Sequence, residues 1–254
     1  MKILCVSDQI DPLVYSTKAK ERFNDIDLVL CAGDLPSEYI DFIVSSLNKP
    51  TYFVFGNHNL NDYPIYHKVP SAHGAHPVFR EERTIFDMSG RTGADYVGFR
   101  VTMDKRLLVV GKNGKTRPLL IAGVSGSIRY NNGLCQFTEA QMRRKLLFLA
   151  PRLLWNKIRY GTYLDIFLTH ASPRHIHDRE DPCHIGFECF NTFIKKYSPT
   201  FFVHGHIHLY DMNDKRKTEV KTQNGKTLVV NAFSHVILEF NGEFFGEKNS
   251  VQNM

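Results

Sequence analysis

A series of short apolar runs crosses this chain, and each ends in residues that a folded core would reject. Lys2 to Val6 runs into Ser7-Asp8, Leu28 to Ala32 into Gly33-Asp34, and Thr51 to Phe55 into Gly56-Asn57-His58. Tyr163 to Leu168 leads to Thr169-His170, and Thr200 to Val203 leads to His204-Gly205-His206-Ile207-His208. Runs that are apolar throughout, rather than alternating, read as strands covered on both faces, the habit of a parallel sheet. Between the second and third run, Ile40, Ile43, Val44 and Leu47 fall at helical spacing before Pro50, which gives strand, helix, strand. Open α/β sheets place their sites at the carboxyl ends of the strands. The polar residues at these ends are therefore the candidate site, and the pattern sets them all at the same edge of one sheet.

The middle of the chain reads differently. Asn61 to Pro77 is rich in His, Pro and Tyr and reads as a loop. Short strands follow at Tyr96 to Phe99, Leu107 to Val110 and Leu119 to Ala122, with Asn113-Gly114 marking a hairpin and Asn224-Gly225 a later one. Both turns carry Gly-Lys-Thr, but Val109 and Val220 stand where a phosphate-binding loop needs its first glycine, so they are turns only. Thr138-Glu139 starts a helix through Met142, Leu146, Leu147 and Leu149 as far as Trp155, and Phe187 to Tyr197 forms another. Val236 to Phe240 alternates like a closing strand. With no repeat and no linker, residues 1–254 are expected to form a single domain.

Composition narrows the function. Hydrophobic residues make up 43% of the chain, enough for a large core, yet no run approaches the roughly 18 apolar residues of a membrane span. The N-terminus turns acidic too soon for a signal peptide, and five cysteines fall in no framework spacing, so a reducing, cytoplasmic location is expected. Cys183 and Cys189 flank His184 without the paired spacing of a zinc ribbon. A dispersed net charge of +6 favours an anionic substrate such as a phosphate ester. With no obvious DNA-binding extension and no separate regulatory domain, a small molecule or nucleotide is the favoured form; nucleic acid is permitted, no membrane partner is expected, and oligomeric state is unreadable.

His204, His206 and His208, spaced by one glycine and one isoleucine, suit metal ligation, because imidazole is a common metal ligand and glycine lets the backbone bend tightly. Asp8, Asp34, Asn57, His58, His170, His206 and His208 form a mixed carboxylate, amide and imidazole set. Hard oxygen with borderline nitrogen donors suits manganese, iron or zinc, and a carboxylate can bridge two of them.

Taken in order, Gly33-Asp34, Gly56-Asn57-His58, His170 and Gly205-His206-Ile207-His208 resemble the successive motifs of the calcineurin-like metallophosphoesterases, over most of the chain from Asp8 to His208. The resemblance implies an α/β fold, a four-layer α/β/β/α sandwich of two mixed β-sheets flanked by helices. It implies two divalent metal ions, one held by Asp34, Asn57, His170 and His206, the other by Asp8, the bridging Asp34 and His208. It implies a hydrolase that cleaves a phosphate mono- or diester by attack of a metal-bridging hydroxide, with His58 assisting the leaving group. A non-catalytic binding or scaffold protein with a degraded metal site is the alternative.

Two positions depart from the family pattern. Where the first motif usually reads Asp-x-His, this chain has Asp8-Gln9-Ile10, and Ile10 ligates nothing; water fills the gap, Asp11 or another residue substitutes, or the Asp8/His208 site is weak. Asn59 stands where an acidic residue more often orients the catalytic histidine. His73, His76, His175 and His177 are candidates for the substrate side, and Arg129 and Tyr130 for a loop that reaches a phosphate. His204 reads as structural, and Asn231 and His235 as support from behind.

Overall fold

The alternation of side chains along β1 (Lys2–Ser7) already sorts the molecule into layers. Ile3 and Cys5 point into one apolar cluster and Leu4 and Val6 into another. All four are fully buried, as expected of a strand covered on both faces. The structure, a computed structural model, describes residues 1–67, 92–111, 114–211 and 213–240.

After β1 come α1 (Ala19–Arg22), β2 (Leu28–Cys31), α2 (Ser37–Leu47), β3 (Thr51–Phe53), α3 (Tyr63–Tyr66) and β4 (Asp95–Tyr96). The chain continues through β5 (Arg100–Val110), β6 (Thr116–Gly123), β7 (Ser127–Ile128), β8 (Gln136–Phe137), α4 (Glu139–Tyr160) and β9 (Ile166–Leu168). It closes with α5 (Glu188–Tyr197), β10 (Phe201–His204), β11 (Lys217–Thr222), β12 (Gly225–Asn231) and β13 (Ser234–Glu239).

Two large mixed sheets result. One is five-stranded in the order β13-β1-β2-β3-β4, the other six-stranded in the order β11-β12-β10-β9-β6-β5, and β7 pairs with β8 apart from both. The central pairings are parallel, and antiparallel β13, β11 and β5 lie at the outer edges. Ile3, Leu30 and Val54 from the first sheet meet Ile121, Leu168 and Val203 from the second in a core between them. The outer face of the first sheet packs on Ile40, Ile43 and Leu47 of α2. That of the second packs on Met142, Leu149 and Leu153 of α4 and Phe190, Phe193 and Ile194 of α5. Each large side chain buried this way stabilises the fold by about 1.5–3 kcal/mol. Helices, sheet, sheet, helices is the four-layer sandwich that the sequence resemblance implies.

Where the sequence reading misplaced elements, local contacts explain it. The strand ends do not lie at one sheet's edge: β1, β2 and β3 belong to one sheet, β9 and β10 to the other. Continuous apolar runs show that a strand is buried on two faces, not which sheet it joins. The Leu107 to Val110 run is the end of the longer β5, which bulges between Asp104 and Leu108. Buried Asp104 is held at that bulge by Arg106 and by the Tyr52 hydroxyl at 2.7 Å. Tyr96 to Phe99 is cut to β4: after Val97 the chain leaves β3 for the other sheet, Gly98 bridging Gly123 and Phe99 taking a left-handed backbone (φ 58°). Thr222 pairs with Gly225, so Gln223 and Asn224 form the second turn. The helix starts at Glu139 as the sequence indicates, capped by Thr138 in a capping box whose reciprocal partner is Gln141.

Candidate metal centre

The backbone does unusual things where the strands end. Asp8, Asp34 and His206 all adopt positive φ (69°, 55° and 68°), a region that side chains with a Cβ rarely enter. Such strain gathers at functional sites, where surrounding contacts over-determine it. Each of three flanking glycines is sterically required. A Cβ on Gly33 would lie 2.5 Å from His170 Nδ1, on Gly56 2.0 Å from Asp34 Oδ1, and on Gly205 1.8 Å from Ser7 Oγ and 2.6 Å from Asp8 Oδ2. The glycines of the sequence motifs are thus the gaps through which the two sheets bring their side chains together.

Four acceptor atoms converge there. His170 Nε2 lies 3.1 Å from Asn57 Oδ1, 3.1 Å from His206 Nδ1 and 3.2 Å from Asp34 Oδ2. The other side of each group is already committed. His170 Nδ1 donates to the Ala32 carbonyl at 2.9 Å, His206 Nε2 to the Cys183 carbonyl at 2.6 Å, and Asn57 Nδ2 to the Tyr130 hydroxyl at 3.1 Å. Asp34 Oδ1 accepts the His58 backbone N–H at 2.7 Å. These partners fix both imidazole tautomers, leaving lone pairs on the inward nitrogens. Lone pairs packed this closely, on residues at most 8% exposed, repel one another unless a cation lies between them.

Electrostatics point the same way. Burial by itself lowers the His170 pKa, but the charge and hydrogen bond of Asp34, with the Asp8 charge, outweigh it and raise the pKa to about 9. Burial would raise Asp34; His170, the His58 N–H and the His58 ring together hold it well below the usual carboxylate range. His206 is lowered to about 4 by burial and then by the neighbouring His170 charge. One proton or one cation therefore satisfies this pocket. Its two oxygen and two nitrogen donors suit a borderline divalent metal.

The second group of donors is sparser. Asp8 accepts the His206 N–H through both carboxylate oxygens, at 3.0 and 2.9 Å, and its side chain is 1% exposed. His208 Nε2 stands 3.8 Å from Asp8 Oδ1, while its Nδ1 contacts the Tyr210 hydroxyl at 2.9 Å. Ile10 is exposed to solvent. Asp11 does not replace it: its carboxylate bonds Ser234, His235 Nδ1 at 2.5 Å and the Leu13 N–H at 2.8 Å. His235 thus supports Asp11 rather than the strand-end ligands.

His58 is exposed beside this centre, with its backbone held by Asp34. Asn59 does not orient the His58 ring; its Nδ2 donates to the Asp34 carbonyl at 3.0 Å, tightening the turn instead. Tyr130 reaches the centre through Asn57, whereas Arg129 turns to Gln141 at 3.1 Å. His177 lies between His204 Nε2 and Thr218 Oγ1, each at 2.9 Å, and His204 Nδ1 donates to the Gly205 carbonyl at 2.9 Å. Both rings of this relay are spoken for, so His177 braces the histidine loop rather than a substrate. His175 is exposed opposite Glu188. Asn231 Nδ2 donates to the Ile207 carbonyl at 2.7 Å and supports the same loop. His73 and His76 lie outside the described residues.

Sequence reasoning missed the backbone carbonyls of Ala32 and Cys183, which carry no side-chain signal. It also missed a local group: Asp181 Oδ1 lies 2.9 Å from Cys183 Sγ and 2.7 Å from His184 Nδ1. The signal was Asp181-Pro182-Cys183-His184 itself, three ligand-type side chains within four residues that include no cysteine pair.

A sandwich of two mixed sheets with a metal-ligand pocket at their meeting strand ends defines a metallophosphoesterase-type protein. The calcineurin-like phosphoesterase profile matches residues 1–210, and the chain belongs to that family. Two solved structures are similar in fold. TT1561 of Thermus thermophilus is 17% identical with a TM-score of 0.51, covering 90% of this chain and 88% of its own. The other is 16% identical with a TM-score of 0.53, covering 93% and 94%. No curated protein matches. No helix among the described residues is long and apolar enough to cross a membrane.

Proposed function

We propose that this chain hydrolyses a phosphate mono- or diester at a dinuclear divalent metal centre. The observation that carries the reading is the set of lone pairs 3.1–3.2 Å from His170 Nε2, each with its other side already hydrogen-bonded. Asp34, Asn57, His170 and His206 would hold one cation; Asp8, Asp34 and His208 would hold a second, less completely. Divalent cations in such a site neutralise phosphoryl charge and acidify water toward neutral pH.

The chain's own residues supply the rest. Asp34 positions the His58 backbone, so the exposed imidazole stands at the mouth of the centre, free to protonate a departing oxygen. No nucleophilic Ser or Cys is needed, because attack on phosphorus requires positioning and charge neutralisation rather than a covalent intermediate. The net charge of +6 draws anionic esters, with small molecules or nucleotides favoured. Exposed Ile10 and the diverted Asn59 favour, as a second reading, a fold kept for binding with an incomplete centre.

Hydrolysis of aryl phosphate mono- and diesters with added manganese, beside His58→Ala, separates the two. Turnover that depends on metal and falls about 10²–10⁴-fold in the variant, with metal content unchanged, supports the enzyme. Metal-dependent turnover that is unchanged in His58→Ala overturns the proposed role of His58. Bound metal with no turnover on nucleotide, monoester and diester substrates supports the binding protein.

A further inference from the structure

Helix α4 is amphipathic twice over. Met142, Leu146, Leu149 and Leu153 bury one face against the six-stranded sheet and α5. On the opposite side of the helix, Leu147, Phe148, Leu154, Trp155 and Ile158 form a second apolar stripe, each between 53% and 76% exposed. At 3.6 residues per turn these positions fall on one continuous face. Scattered exposed apolar residues need no explanation, but a stripe of this length on one helix marks an interaction surface.

Charge narrows what covers it. The helix carries six basic residues against one acidic one. On the helical projection Arg143 and Lys157 border one side of the stripe, Arg152 and Arg159 border the other, and Arg144 stands within it. A second copy docked through the same face would bring like charges together along the whole contact, which opposes association. A convex apolar ridge with arginines along both borders suits a flat, anionic, apolar-cored partner. Their long stems lie along the ridge while the guanidinium groups reach phosphate groups beside it. Tryptophan in the ridge adds the side chain best suited to a membrane–water boundary.

We infer that α4 docks this protein on an anionic lipid surface, with the Leu147–Ile158 stripe entering the headgroup boundary and the flanking arginines binding lipid phosphates. Lying on a surface requires no spanning segment. The sequence led to the expectation of no membrane partner, because apolar length marks a spanning segment and says nothing of a second apolar face on a helix. The inference does not depend on the metal centre, and its test reads binding rather than hydrolysis.

Trp155 is the only tryptophan of the chain, so its emission reports this face alone. The full chain would be mixed with vesicles of phosphatidylcholine and phosphatidylglycerol in a two-to-one ratio, and with phosphatidylcholine alone. Expected are co-sedimentation with the mixed vesicles, a shift of emission to shorter wavelength, and at least about tenfold weaker binding to neutral vesicles or at high salt. Phe148→Glu and the pair Arg152→Glu/Arg159→Glu should each weaken binding about tenfold or more, with circular dichroism and thermal midpoint unchanged. Absence of co-sedimentation with unchanged emission overturns the inference. So does a lipid-free dimer that Phe148→Glu converts to monomer, which assigns the stripe to a second copy.

Discussion

The Tyr130 hydroxyl accepts a hydrogen bond from Asn57 Nδ2 at 3.1 Å and thereby turns Asn57 Oδ1 toward His170 Nε2. Without that partner only the proton or cation in the pocket holds the amide, and its nitrogen can turn a proton inward where a lone pair is needed. Tyr130→Phe is therefore expected to weaken metal binding about 10–100-fold while leaving the fold intact, since Tyr130 is only half-buried. Metal titration followed calorimetrically checks this; unchanged affinity would remove Tyr130 from the centre.

Gly205 offers a sharper steric test. An added methyl group would meet Ser7 Oγ at 1.8 Å and Asp8 Oδ2 at 2.6 Å, and Ser7 is fully buried with no room to withdraw. Gly205→Ala should cost about 1–3 kcal/mol of stability and displace Asp8 or His206. Gly225→Ala meets no atom within 4 Å but sits at φ 136°, so it carries backbone strain without crowding the centre. Metal stoichiometry in the two variants distinguishes them: it should fall only in Gly205→Ala.

Much of this was legible in the sequence, and the reasons are local. Asp34, Asn57, His170 and His206 each follow an apolar run, and the flanking glycines mark where backbones must approach closely. What could not be read was how the runs divide between sheets, because burial on both faces looks the same in either. The destination of Asp11 was equally hidden. Its partners Ser234 and His235 lie more than two hundred residues away, and only the pairing of β1 with β13 brings them near. The long reach of β5 past its bulge depended on Arg106 and Tyr52 meeting Asp104, a contact without periodicity.

Acid should destabilise the fold through histidines that the centre does not use. Burial, and then the charge of Lys215, lowers His177 to about 4; burial, then Lys145 and Arg100, lowers His67 to about 4. A folded-state pKa below the ordinary value of 6.5 means that the unfolded chain binds these protons first. Their contribution is fully present above about pH 6.5 and is lost as pH falls toward about 4. It is on the order of 2 kcal/mol for His177 and smaller for His67, whose ring is nearer to solvent and more screened. Urea midpoints across that window test it. His177→Gln, which keeps a polar group between His204 and Thr218 but cannot titrate, should flatten part of the slope.

Ile10 makes the clearest claim about metal number. Its side chain is exposed two residues beyond Asp8, whose buried carboxylate faces His208 at 3.8 Å. The family pattern has a histidine at this position, and Asp11 is diverted to β13, so the Asp8/His208 side has His208 as its nitrogen donor and is one short of that pattern. Ile10→His would return one at little cost, because an exposed aliphatic group gives up little burial. Expected is about tenfold or more tighter binding of the second metal equivalent, with the first unchanged, since no donor around His170 is altered. Titration with manganese or zinc while counting equivalents by elemental analysis measures both. If the second equivalent already binds the native chain as tightly as the first, and Ile10→His adds nothing, another group completes that site. If the second equivalent tightens and hydrolysis rises with it, the weak side of the centre limits the native protein.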